Sequence, residues 1–291
     1  MERAKQLLPA TISANKSRAS RWAAAGILAK AYLERNAAGD REKALAEVNA
    51  IINSNAYSLV PAANYRNLFA SGAQNTAETI FEVAFGPAGL EGTALDNEFV
   101  PTQNYRIEPS RKIVDAFKAD SVLLAQSGRT DVRKPAAIAW HHIRSANRQH
   151  YFINKYSKAP YTVTAGRIQA DPNVIVLRLA DILLLKAELE IEANNTAEAI
   201  RYLNMVRNRV NLPNTTATTQ AALRLAIEDE RFKELAFEGH RYWDLLRTGR
   251  AMAVIHNKGQ FRLPSLEKAI WPIPQNDIDQ NPNLLPQNSG Y

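Results

Sequence analysis

The sequence predicts a mostly α-helical fold in which helical hairpins bracket an irregular, loop-rich insert containing short strands. Three observations carry that prediction. Segments 17–53 and 178–210 each show two runs of apolar residues at helical spacing on either side of a polar turn. Between them, 57–175 loses that period and carries short β-branched or aromatic runs, among them TIFEVAF and HYFINKYS, separated by turn residues. The tail, 264–291, holds five prolines, which rules out a long helix there. At 291 residues, with 46% of them hydrophobic, the chain has the makings of a sizeable core and is read as one domain spanning 1–291.

In the first hairpin, Trp22, Ala25, Ala29 and Tyr32 recur at helical spacing, with Leu28 and Leu33 beside them. The turn AAGD then breaks the helix, with Gly39 as its cap and Asp40 as the N-cap of the next. Ala44, Val48 and Ile51 form the stripe of the second helix. This small–large alternation resembles a tetratricopeptide unit, lengthened by about three residues between its helices. The hairpin at 178–210 lines its first helix with Leu184, Ala187 and Ile191. Its second carries Ala199, Leu203 and Val206, the spacing of Ala44, Val48 and Ile51 again, after a turn at Asn195 or Thr196. Two such units fall short of the roughly three that a stable stack needs, so other helices must cover their open faces. Residues 218–249 supply candidates. A helix over 218–237 places Leu225, Asp229, Phe232 and Leu235 or Ala236 along one side and ends at Gly239, and a short helix follows and stops at Gly249. Within the insert, a helix near 109–119 and one or two small hairpins are expected, and a loop-rich stretch of that length is usually functional. In the tail, Trp271, Ile273 and Leu284 are assigned to contact with the core.

Composition removes several function classes. Cysteine is absent, which excludes disulfides, thiolate metal sites and cysteine nucleophiles. The 36 basic residues exceed the 29 acidic ones for a net charge of +7, but no run of five bases gathers them into a nucleic-acid stripe; an anionic ligand is permitted, not demanded. No apolar run approaches the roughly 18 residues of a membrane span. GPAGLEG lacks the Lys-Ser/Thr of a phosphate loop, and no Gly-x-Ser-x-Gly elbow occurs. His141 and His142 are neighbours in an extended run, where adjacent side chains point to opposite faces, so they do not share an ion even with His150 nearby. Neither a metal nor a cofactor is expected.

The densest chemistry lies in RFKELAFEGHRYWDLLRTGR, residues 231–250. Glu234 and Glu238 stand four apart, which on a continuous helix puts their Cβ atoms about 5–6 Å apart. That figure superficially matches the roughly 5–5.5 Å of a retaining glycosidase pair. Both carboxylates leave one helix face, however, whereas a catalytic pair must flank the sugar bond. Charge alternates in steps of three from Arg231 to Glu234 and along Glu238, Arg241, Asp244 and Arg247, the spacing of ion pairs on helical turns. Glu234, Glu238, Gly239, His240, Arg241 and Asp244 are therefore assigned to structure, specifying the hinge at Gly239, and no catalytic residue is named.

The order of motifs resembles the SusD/RagB family, the outer-membrane nutrient-binding lipoproteins of Bacteroidetes glycan utilisation systems. The resemblance rests on RASRWAAAGILAKAYLERN, ETIFEVAF, DVR at 131–133, KY at 155–156, RLADILLLKAELEIE, LNMVRNRVNL, ERFKELAFEGHRYWDLLRTG and WPIPQNDIDQNPNLLPQNSGY, which run in the family's order over nearly the whole chain. It implies tetratricopeptide-like hairpins that form a scaffold for a SusC-like TonB-dependent transporter, irregular segments that build a site for a polysaccharide or oligosaccharide, and no enzymatic activity. It also implies a place on the cell surface at the outer membrane, through a lipid-bearing cysteine that this sequence lacks. The opening MERAKQLLPATI resembles the middle of the family pattern, so the chain is expected either to lack an N-terminal part that carries that anchor or to be an unusually short member, and taken alone to be soluble.

A sugar site needs flat apolar faces for ring C–H groups and fixed polar groups for hydroxyls. The insert offers Tyr105, Trp140, Tyr151 and Tyr161 as platforms, with Asn104, Arg106 and Asn97 near the first. Tyr105, in the polar run TQNYRIEPS, and Trp140, beside two histidines, are the foremost candidates. Trp22, Trp243 and Trp271 lie in scaffold motifs and are assigned to packing. The alternative from another class is a helical-repeat scaffold that binds protein or peptide between its hairpins without sugar specificity.

Overall fold

The computed structural model describes residues 1–10, 14–70, 74–85, 99, 107–143, 148–156, 162–164, 167–169, 173–255 and 263–291. Where the sequence is read as one domain, the chain gathers into two compact units, Met1–Glu238 and Gly239–Tyr291.

The first unit opens with a short helix, α1 (Glu2–Leu7), and the first hairpin, α2 (Arg21–Arg35) and α3 (Asp40–Asn53). Ser20 starts α2 by accepting the Ala23 N–H at 3.2 Å. The turn differs from expectation. Asn36, at φ 47°, takes the left-handed closing position assigned to Gly39, and Asp40 is already the first residue of α3. Its carboxylate is used backwards, accepting Arg35 Nε at 2.8 Å and the Ala37 N–H at 2.9 Å. The Arg35 hydrogen bond holds the Asp40 carboxyl down at about 2 against its desolvation, with the Ala37 N–H helping. Gly26 is required by packing, because a Cβ there would lie 2.2 Å from Leu177 Cδ2.

The second hairpin, α6 (Leu179–Glu192) and α7 (Thr196–Arg209), packs against α8 (Gln220–Glu234). Twelve of the 14 residues of α6 are buried, so this helix has core on nearly every side. One cluster joins it to the first hairpin through Ala29, Ala44, Val48, Ile51, Ile182 and Leu185; another joins it to α7 and α8 through Leu184, Ala187, Leu203, Val206, Leu223 and Ile227. Burying each such Leu or Ile contributes about 1.5–3 kcal/mol. The face of α8 is not the expected one. Leu225 is 55% exposed, and the buried stripe is Leu223, Ile227, Glu230 and Glu234. A pattern search for apolar residues passes over such a stripe, because two of its members are acids that enter the core only with arginine partners.

Between the hairpins the insert is more ordered than its texture implies. A 3₁₀ segment (Ala62–Phe69) is followed by β1 (Thr79–Val83), α4 (Arg111–Gln126), α5 (Arg133–Ala137), β2 (Ile138–Ile143), β3 (Arg148–Ile153), β4 (Thr162–Thr164), β5 (Arg167–Gln169) and β6 (Val174–Arg178). The helix expected near 109–119 thus runs on to Gln126. Among the described residues three two-stranded antiparallel sheets pair β1 with β6, β2 with β3 and β4 with β5, with Thr79 opposite Arg178 in the first and Trp140 opposite Tyr151 in the second. The β1–β6 pair brings the start and end of the excursion side by side. Tyr65, Phe69, Leu124, Ile153 and Tyr156 give the insert its own apolar cluster.

The second unit contains α9 (Arg241–Arg247), α10 (Ala251–Ile255) and α11 (Gln275–Gln280) around Leu245, Ala251, Leu263 and Ala269. Two packing assignments fail here: Trp243 is 57% and Trp271 82% exposed. Small clusters built largely from alanine and leucine leave little room to bury an indole. Trp22 does pack against the core and donates its indole N–H to Ala10 O at 2.9 Å.

Candidate functional site

Strands β2 and β3 pair in register from Ile138↔Ile153 out to Ile143↔Arg148. Directly opposed residues share a face, so Ile138, Ile153, Trp140 and Tyr151 all lie on one side of this hairpin. That side leaves the core as it goes: Ile138 and Ile153 are 2% and 1% exposed, whereas Trp140 is 59% exposed. The Trp140 and Tyr151 ring centroids stand 4.0 Å apart with planes inclined by 30°. Tyr151 rests against Ile113, Val114, Phe117 and Ala236, so the more buried ring supports the more exposed one. Lys118 Nζ, on α4, lies 5.5 Å from the Tyr151 ring centre. His150 Nδ1 faces Glu108 Oε1 at 3.0 Å. An indole presented in this way, with a cationic group beside its supporting ring, is a flat apolar surface of the kind that a pyranose face asks for, while His150, the next residue along β3, belongs to the opposite face of the hairpin.

The base of the same hairpin is built in the opposite manner. Arg178, 1% exposed, donates to Glu78 Oε1 at 2.8 Å, to Glu234 Oε1 at 2.7 Å and, from Nε and Nη2, to both Glu238 oxygens at 2.8 and 2.7 Å. Arg209 joins Glu78 Oε2 at 2.7 Å and also pairs with Glu234. Arg133 meets Glu230, Glu234 and Asp120, and Lys155 donates to Glu238 Oε1 at 2.6 Å. Burial alone would push the Glu234 carboxyl up, but Arg209, Arg178 and Arg133 outweigh it and hold the group well below the usual carboxylate range. Burial draws the Lys155 ammonium down, against the nearby Glu238 charge. Phe237 adopts φ 66°, a left-handed conformation that costs a residue with a side chain about 1–3 kcal/mol and persists only where its surroundings determine it. Here Lys155 binds Ala236 O at 2.9 Å and the Tyr156 hydroxyl donates to Phe237 O at 3.1 Å.

This arrangement redraws the expected ladder of charges. Arg231 reaches Asp181 on α6 at 3.0 Å, and Glu234 and Glu238 face inward to partners far away in sequence. The step of three is kept between Asp244 and Arg247, at 2.6 Å. Gly239, at φ 82°, and His240 lie between α8 and α9, with Arg241 opening α9. Of the candidate ligand residues, the structure brings Trp140 and Tyr151 together. Asn97, Asn104, Tyr105, Arg106 and Tyr161 fall outside the described residues, as do the side chains of His141 and His142. Among the described residues no group of three or more His, Asp or Glu side chains could hold a metal ion. Arg133, Lys155, Arg178 and Arg209 are the functional groups that sequence reasoning missed. A signal existed at Arg178, a base that follows the apolar run VIVL and so demands a buried partner.

Comparison with known proteins gives concordant findings. The model of the SusD family matches residues 136–291. The SusD-like protein P25 of Formosa agariphila is 28% identical over 95% of this chain, which spans 60% of that relative's length. A laminarin-binding SusD-like protein of solved structure superposes with a TM-score of 0.74 at 27% identity, over 98% of this chain and 66% of its own. Surface glycan-binding protein A from Bacteroides thetaiotaomicron, solved in complex with laminarihexaose, gives 0.71 at 25% identity, over 97% and 67% of the two chains.

Proposed function

The chain belongs to the SusD family, and on that premise we propose that it is a non-enzymatic glycan-binding component of a SusC/SusD-type nutrient uptake complex at the outer membrane. The observation that carries this reading is the Trp140–Tyr151 pair, an aromatic platform raised out of the core on a hairpin, with Trp140 left 59% exposed. An indole of this kind serves a binding protein better than a core, since exposing it costs the fold apolar burial that only a ligand returns. Two relatives with solved structures are described by the glucan they bind, laminarin or laminarihexaose. The ligand proposed for this chain is accordingly an oligosaccharide or polysaccharide, held by stacking on Trp140 and by polar groups around it. Capture followed by hand-over to a SusC-like TonB-dependent transporter calls for modest affinity, so a single platform with a few hydrogen bonds suffices. The helical hairpins are proposed as the frame for that transporter, and a lipid anchor as the tie to the membrane.

Retention of the protein in affinity gels cast with a panel of polysaccharides tests the reading. The wild type slows in at least one gel, and Trp140→Ala loses about tenfold in affinity, the worth of an aromatic contact of about 1.4 kcal/mol. Unaltered migration of Trp140→Ala and Tyr151→Ala in every gel that retards the wild type would remove this site. Release of reducing sugar, abolished by Glu234→Gln, would overturn the non-enzymatic assignment. The peptide-binding alternative has less support, because α6, the helix of the second hairpin that packs against the first, is buried on most of its residues.

A further inference from the structure

The β2–β3 hairpin leaves the core and returns to it along two legs, and both are fastened to one place, the carboxyl end of α8. On the outgoing leg, Arg133 sets Nη1 3.4 Å from Glu234 Oε2, pairs with Glu230 and donates from Nη2 to Asp120 at 2.7 Å. On the returning leg Lys155, two residues beyond β3, donates to Glu238 Oε1 at 2.6 Å, Ala236 O at 2.9 Å and Glu234 O at 3.1 Å. Those three bonds use every proton of the ammonium. Asn154 ties the legs to each other, its N–H donating to Ala137 O at 2.8 Å and its side-chain amide to Pro135 O at 2.7 Å.

Resting on the glycan-binding reading of Trp140, we propose that Lys155 and Arg133 are positioning residues that lock the hairpin to α8 and so set where the Trp140–Tyr151 platform meets its ligand. The leverage is geometric. Four residue steps separate Lys155 from Tyr151, at most about 13 Å at about 3.3 Å per residue, so a tilt of roughly 10° at the base moves the ring by up to roughly 2 Å. Binding constellations tolerate errors of only about 0.5 Å, which makes the base as consequential as the tip. Neutralising charge inside a core calls for several partners per ion but not for partners drawn from both legs of one hairpin. Here the bonds converge from both legs on the short segment 230–238. The charged motif singled out in the sequence is thus a socket for the recognition hairpin, and its carboxylates act through Arg133 and Lys155 without touching ligand.

The test is hydrogen–deuterium exchange read by peptide, with titration of laminarihexaose in parallel, on wild type and Lys155→Met, which keeps the aliphatic stem and drops all three bonds. Amides of 138–143 and 148–153 are expected to exchange about tenfold faster while those of α6 keep their protection, a local opening and not a global one. Affinity for laminarihexaose falls about tenfold with Trp140 in place, through lost preorganisation, and Lys155→Arg restores part of it. Unchanged exchange in the hairpin, or an increase spread equally over α6, overturns the proposal. If Lys155→Met does not fold, Glu238→Gln, which keeps shape and acceptor while losing charge, is read against the same two outcomes. A wild type that ignores laminarihexaose counts against the ligand reading for that glucan, whereas the exchange experiment still decides whether the clamp exists.

Discussion

The two ends of the β2–β3 hairpin, only a few residues apart, are opposite in chemistry. Towards the tip, one turn of the pleat beyond the buried Ile138–Ile153 pair, an indole open to solvent packs on a phenol. At the base lie Arg178, Lys155, Glu234 and Glu238, none with a side chain more than 2% exposed. The difference shows where a protein can spend charge and where it cannot. Ionised groups this deep are tolerated only because each has several partners, and that completeness leaves no carboxylate to attack or protonate a substrate. A recognition surface needs the reverse, unsatisfied apolar area that a ligand can cover. A dense charged motif in a sequence is therefore as good a sign of a sealed junction as of a catalytic centre, and burial decides which.

Removing one member of the base should have the largest effect. Arg178→Met leaves Glu78, Glu234 and Glu238 each short of one buried cationic partner, and a loss of about 3–5 kcal/mol in denaturant unfolding is expected; a loss below about 1 kcal/mol would mean that the network is worth no more than surface pairs. Acid should attack the base before the tip. Because the Glu234 carboxyl is held below its ordinary value in the fold, its contribution is complete above the unfolded pKa near 4.3 and is lost as pH falls towards the folded one. Thermal unfolding followed from pH 7 to 3 should show a falling Tm, with a shallower slope in Glu234→Gln. Next to the base, Leu177 on β6 presses on α2 at Gly26, and Gly26→Ala should cost about 1–3 kcal/mol from overpacking in the same unfolding assay. The smallest effect belongs to the tip: Trp140→Ala is expected to shift unfolding by no more than about 0.5 kcal/mol, as at other surface positions. A shift comparable to that of Arg178→Met would erase the contrast between the two ends.

How far the sequence revealed this molecule follows the range of the interactions. The helical hairpins were legible because Ala44, Val48 and Ile51, like Ala199, Leu203 and Val206, report their own spacing; all six are buried. The turn at 36–40 was half legible: Asn36 and Gly39 both take left-handed backbone, Asn36 closing α2 and Gly39 preceding α3. The junction beneath the hairpin was not legible. Arg178 and Glu234 lie 56 residues apart, Arg178 and Glu78 100, and no local period links them. The exposed Trp243 and Trp271 misled for the same reason: a tryptophan in a scaffold motif announces apolar area but not what covers it. At the candidate site, Trp140 and Tyr151 were named as separate aromatics, and strand register made them a pair.

Calorimetric titration of one glycan, chosen as the strongest ligand of the wild-type protein, into Trp140→Ala and wild type side by side tests the division of labour most directly. The account predicts about a tenfold weaker Kd for the variant at an unchanged Tm, since the ring contacts ligand and not core. Equal Kd values in the two proteins, with the glycan still saturating both, would place recognition elsewhere and contradict it.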